Sequence, residues 1–213
     1  MEALSTRKPL VLQASQLCFA YPDHPLFADW SADIPPGITL VLGGDGRGKT
    51  TLLRLLAGEL AAQSGRLQLN DACLSDNPAA YRQQVFATNP RSDAFDPMTA
   101  IAYFKLQQGL HPEFNEPLLA TLIDGLSLQP HLEKELFRLS TGSKRKVWLA
   151  AAFASGAVLT LIDEPFAALD QASIDFVLTH LRSVADHPAR AWVISHYELP
   201  VDLPLAARID LGD

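Results

Sequence analysis

The chain has 213 residues, enough for one large domain or at most two small ones, and at that size a single apolar core forms without staples. A composition of 48% hydrophobic and 19% charged residues excludes disordered, collagen-like and coiled-coil classes. With 17 basic against 24 acidic residues the net charge is −7, which argues against a nucleic-acid partner held by bulk attraction to phosphate.

Cys18 and Cys73 are the only cysteines, too few for a disulfide scaffold, and a reducing compartment fits them. The N-terminal MEALSTRKPLVLQ has no apolar run of the kind a secretory signal needs. The longest membrane-like stretch, residues 147–162, is interrupted by Ser155, Gly156 and Thr160 and is shorter than the ~20 residues a bilayer requires. No transmembrane segment is expected, so a membrane role would fall to a partner chain.

In chain order, residues 11–19 and 30–34 read as strands, and Pro35-Pro36-Gly37 punctuates before a continuously apolar strand at 38–42. Such a run suits a strand covered on both faces of a parallel sheet. A glycine-rich turn follows, then residues 50–60 with leucines at helical spacing, a strand at 66–70 and a short one at 85–87. From about 96 to 154 the pattern is helical, with candidates at 98–108, 116–126 and 143–154, and this stretch reads as a helical insertion. Buried-strand and helix patterns then alternate at 158–162, 173–184, 191–195 and 208–211. The alternation predicts an α/β fold in one domain spanning 1–213.

Two motifs carry chemistry. Gly43-Gly44-Asp45-Gly46-Arg47-Gly48-Lys49-Thr50, followed by Thr51, matches the P-loop pattern between a predicted strand and a predicted helix. There, main-chain N–H groups and a helix N-terminus hold phosphates, Lys49 reaches the outer ones, and Thr50 offers a hydroxyl to Mg2+. Further on, Leu161-Ile162-Asp163-Glu164-Pro165 ends a buried strand with two carboxylates, at the edge where open α/β sheets bind ligands. Asp163 could hold Mg2+ and Glu164 could prepare the attacking water. Taken alone, Asp-Glu-Pro also reads as an ordinary strand-ending turn.

Between them, Leu139-Ser140-Thr141-Gly142-Ser143 precedes an Ala-rich helix and resembles the Leu-Ser-Gly-Gly-Gln signature of ABC (ATP-binding cassette) transporter ATP-binding subunits. The resemblance runs from about Val11 to the C-terminus. It implies a P-loop NTPase fold of the ABC type: a mostly parallel core sheet, an N-terminal antiparallel β part and a helical subdomain at about 96–154. It also implies an ATPase that dimerises around two Mg-ATP, as homodimer or heterodimer, and drives a separate transmembrane permease from the cytoplasmic face.

Within that resemblance, Tyr21 would stack on adenine, and Ser140 and Gly142 would touch the γ-phosphate held by the other subunit. Asp170, in Ala168-Leu169-Asp170, would lie in the loop between the two sites, and His196 would contact the γ-phosphate. Read without the family, Tyr21 is a strand-end core tyrosine, Ser140 a plain N-cap, Asp170 a helix cap and His196 a structural histidine. The family expects a glutamine near residues 85–90; here Thr88 or Asn89 stands instead, with Asn89 the candidate metal contact. The run 163–170 also resembles the short subunits that serve haem export. The alternative class is an ABC-type ATPase switch in translation or DNA maintenance, which generally carries two cassettes or long insertions.

Overall fold

The computed structural model describes residues 10–22, 24–89, 92–198 and 202–212. Residues 1–9, most of the stretch read for a targeting signal, and Pro90 lie outside them. The elements are β1 (Leu12–Tyr21), β2 (His24–Ile34), β3 (Gly37–Leu42), α1 (Lys49–Leu56), β4 (Ser64–Leu69), β5 (Ala72–Cys73), α2 (Pro78–Gln83) and β6 (Val85–Ala87). After these come α3 (Ala100–Leu110), α4 (Glu116–Gly125), α5 (Thr141–Ala154), β7 (Leu159–Asp163), α6 (Gln171–Val184), β8 (Ala191–His196) and β9 (Ala207–Asp210).

Strands β6-β7-β8-β3-β9 form a sheet in which every neighbouring pair is parallel. β3 and β7 are buried along their whole length, which is why their sequences are apolar without alternation. The pleat still sorts their side chains. Ile38, Leu40 and Ile162 face a core shared with Trp148 and Leu122 of the helical part. Val41, Leu161 and Val193 face a second core with Leu52 and Leu56 of α1 and Leu12, Leu17 and Ile34 of the other sheet. That second sheet, β2-β1-β4-β5, is antiparallel. Helices α3, α4 and α5 lie between β6 and β7 in the chain. Among the described residues no helix is long and apolar enough to cross a membrane.

Two elements depart from the sequence reading. β2 begins at His24 rather than at residue 30, because register shifts against β1 and a left-handed Asp29 break the alternation that marks a strand. α1 stops at Leu56 rather than near 60, because Gly58 turns left-handed and Glu59 N–H bonds back to the Arg54 carbonyl. The short α2 went unread, although Asn77 caps it and Pro78 opens it.

Candidate functional site: the P-loop cleft

Strand order brings the motifs together. β8 lies between β3 and β7, and in register Leu42 pairs with His196 while Ser195 pairs with Asp163. The C-terminal ends of three adjacent parallel strands therefore present the P-loop, His196 and the Asp163–Glu164 pair along one edge. A cleft of about 220 Å³ opens there, lined by Gly44 through Thr51, Tyr21, Glu164 and Tyr197 among others.

The loop geometry suits an anion. Gly48 is the N-cap of α1 with φ +91°, a left-handed conformation that leaves no side chain over the first turn of the helix. The first-turn N–H groups are thus without a side-chain cap, and the helix N-terminus adds partial positive charge. Lys49 is only 6% exposed. Its ammonium donates to the carbonyls of Gly43 at 2.6 Å and Gly44 at 3.0 Å and lies 4.0 Å from the centre of the Tyr197 ring.

The carboxylate at the end of β7 is held from two sides. Thr50 Oγ1 donates to Asp163 Oδ2 at 2.7 Å and Ser195 Oγ donates to Asp163 Oδ1 at 2.5 Å. Ser195 in turn accepts the Glu164 N–H at 3.1 Å, so one buried hydroxyl ties both acidic residues to β8. Thr88 is engaged with the β7 main chain, accepting the Asp163 N–H at 3.2 Å. Asn89 lines a small cavity with Thr50 and Asp163. This donor set is all oxygen and amide, and the described residues hold no cluster of three or more His, Cys, Asp or Glu that would cage a metal. It therefore fits a hard cation such as Mg2+, which takes one or two protein oxygens and completes its shell from phosphate and water.

Not every expected residue reaches the cleft. Tyr21 lines it, with its hydroxyl 3.1 Å from Thr51 Oγ1 and its ring edge-on to Phe19. Asp45, Gly46 and Arg47 form its exposed rim. His196 does not line it; the ring is half-buried against Phe166, and its Nδ1 has no hydrogen-bond partner among the described residues. Ser140, Gly142 and Asp170 are outside it. Ser140 is exposed and caps α5, accepting the Ser143 N–H at 3.2 Å. Asp170 caps α6 and pairs with Lys146 at 2.7 Å, and that lysine, with the Ser173 N–H, holds its carboxyl well below the usual range.

Tyr197 and Ser195 were missed in the sequence reading. Tyr197 donates to Asp45 Oδ1 at 2.9 Å, and hydrogen bonding to Asp45 and then to Glu164 raises its pKa by holding the phenol proton. Both flank His196, and that adjacency is the only sequence signal that would have found them.

The histidines give a pH prediction. Burial, first among the causes, lowers the pKa of His111, His131, His180, His187 and His196; at His196 the carboxylates of Glu164 and Glu198 push the other way. Above about pH 6.5 these groups are neutral folded and unfolded alike and add no pH dependence. As pH falls through that value the unfolded chain binds protons first, so stability must fall. The urea midpoint is expected to be nearly flat around pH 7.5 and to drop as pH falls through about 6.5 to 5.5; a midpoint that rises between about pH 6.5 and 5.5 would contradict the burial of these rings.

The family described as ABC transporter matches residues 27–167. The chain belongs to that family. Relatives include the cytochrome c biogenesis ATP-binding export protein CcmA of Legionella pneumophila, 32% identical over 196 residues, covering 90% of this chain and 96% of that one. The protein of the same name from Pseudomonas syringae pv. syringae is 31% identical over 205 residues, covering 94% and 95%. Among solved structures, an ATP binding subunit of an ABC transporter superposes with a TM-score of 0.77 at 24% identity, over 87% of this chain and 79% of that one. A putative ABC transporter ATP-binding protein from Pyrococcus furiosus gives 0.75 at 22%, over 94% and 96%. At those identities the structures establish the ABC ATPase fold. As a member of the ABC transporter family the chain is an ATP-binding subunit and an ATPase; transport rather than translation or DNA maintenance is its class.

Proposed function

We propose that this chain is one 1–213 ABC ATPase domain, with a helical subdomain at about 96–154, that pairs with a second ATP-binding subunit around two Mg-ATP. It drives a transmembrane permease from the cytoplasmic face, in export of the kind that names its relatives in cytochrome c biogenesis. The observation that carries the reading is the 2.7 Å contact between Thr50 and Asp163, with buried Lys49 and Glu164 in the same cleft.

The P-loop amides and Lys49 bind the phosphates, and Tyr21 offers its ring to adenine. Thr50 and Asp163 would hold Mg2+, with Asn89 beside them. Bound Mg2+ supplies charge neutralisation at the outer phosphate oxygens. Water attacks the γ-phosphorus, Glu164 takes the proton, the bond to the bridging oxygen breaks, and ADP and inorganic phosphate leave. His196 and the opposing Ser140 and Gly142 complete the cage around the γ-phosphate. The sharing of each site between two subunits is supported by the distance of Ser140 and Gly142 from their own cleft and by the exposure of Ser140.

The test is specific ATPase activity against protein concentration. It is expected to fall at dilution, where the single subunit binds ATP but lacks half of each site. Activity that stays constant down to concentrations at which the protein is monomeric by light scattering would refute the shared site. Co-purification of an integral membrane protein tests the permease; recovery of ribosomes or DNA instead would overturn transport.

A further inference from the structure

Helix α5, which begins at the signature, is fastened to the segment after β7 at three points. A Cβ on Gly142 would come within 2.3 Å of the Ala168 carbonyl oxygen, so only glycine permits this approach. Lys146 pairs with Asp170 at 2.7 Å. Between them, Arg145 sends Nη1 to the carbonyl of Asp163 at 3.3 Å and to the carbonyl of Glu164.

Arg145 is placed unusually for a cation. Among the described residues it forms no ion pair, and its Nε is buried without a partner. Its Nη1 serves two consecutive main-chain oxygens, and its charge also acts on the carboxylates of Glu164 and Asp163 beside them. Those oxygens belong to a backbone that needs holding. Glu164 has φ +49°, in the left-handed region that a glutamate adopts only at a cost in energy. Ser195 holds the N–H of Glu164 from β8 and Arg145 holds its carbonyl from α5. With the residue fixed at both ends, its Cα–Cβ bond is held at the cleft that Glu164 lines.

We propose that Arg145 is a positioning residue for Glu164, fixing the strained peptide that aims its carboxylate at the attacking water and fastening it to the signature helix. The inference rests on Glu164 as the group that prepares water. If Ser140 and Gly142 meet the nucleotide of a second subunit, this contact also makes the base of one site follow the helix that reads the other.

The experiment measures turnover and binding of a fluorescent ATP analogue for Arg145→Ala, Arg145→Lys, Glu164→Gln and the double variant Arg145→Ala/Glu164→Gln. For Arg145→Ala, kcat is expected to fall about 10- to 100-fold with the Kd of the analogue within about twofold of the parent. Lysine should restore part of the loss, since its ammonium can reach one of the two carbonyls. The double variant should be no slower than Glu164→Gln alone, because Arg145 acts through Glu164. Unchanged kcat in Arg145→Ala beside a slow Glu164→Gln overturns this inference alone. A further full loss in the double variant does the same. Normal turnover in Glu164→Gln removes the base, and this inference with it. If Arg145→Ala does not fold, judged by lost analogue binding, Arg145→Lys decides: reduced kcat with unchanged Kd supports the proposal, and parental kcat refutes it.

Discussion

Replacing Lys49 by alanine is expected to weaken ATP binding about 100-fold. The ammonium is buried in the cleft, so solvent does not screen it, and it now donates to the neutral carbonyls of Gly43 and Gly44. ATP exchanges those acceptors for charged phosphate oxygens, and charge-assisted bonds of that kind contribute roughly 1.5–3 kcal/mol each. Part of the gain is offset by the lost carbonyl contacts, leaving about 3 kcal/mol, which corresponds to roughly two orders of magnitude in Kd. The loop itself should survive, since its shape is set by glycine conformations and the start of α1 rather than by the lysine side chain. Calorimetric titration with Mg-ATP gives the number. AMP, which lacks the outer phosphates, should lose far less affinity than ATP. An unchanged Kd for ATP would show that Lys49 remains on its own loop when nucleotide binds.

Glu164→Gln is expected to leave ATP affinity within about twofold while slowing turnover by about 100- to 10,000-fold, the usual range for removing a general base. The substitution keeps size and shape and alters only the charge and basicity of the side chain. Its main-chain contacts, the N–H to Ser195 and the carbonyl to Arg145, persist, and the glutamine amide oxygen can still accept from the Tyr197 phenol. The loss should therefore appear in kcat and not in Kd. Single-turnover measurement at saturating ATP separates the chemical step from product release. A variant that hydrolyses at the parental rate would take Glu164 out of the reaction and leave the water to be prepared by another group.

The P-loop was legible because its parts are contiguous: an apolar strand, a glycine turn and a helix start hold phosphate through their own main chain. The buried strands 38–42 and 158–162 were legible for a related reason, since covering both faces of a strand leaves a continuous apolar run. β2 was half-hidden because its bulges erase the alternation. Tyr197, Ser195 and Arg145 could not be read, because their meaning lies in what they touch. Tyr197 meets Asp45 across 152 residues of chain, Thr50 meets Asp163 across 113, and Ser195 meets Asp163 across 32.

By itself the amino-acid order determined which segments carry phosphate and carboxylate chemistry and that they alternate as strands and helices, since local spacing and side-chain type suffice for both. Tertiary structure alone decided that β8 inserts between β3 and β7. That one placement puts His196 beside the end of β3 and Ser195 beside Asp163. The reason is physical: register between parallel strands distant in sequence is fixed by how two cores pack on the two faces of the sheet, and no local pattern records it.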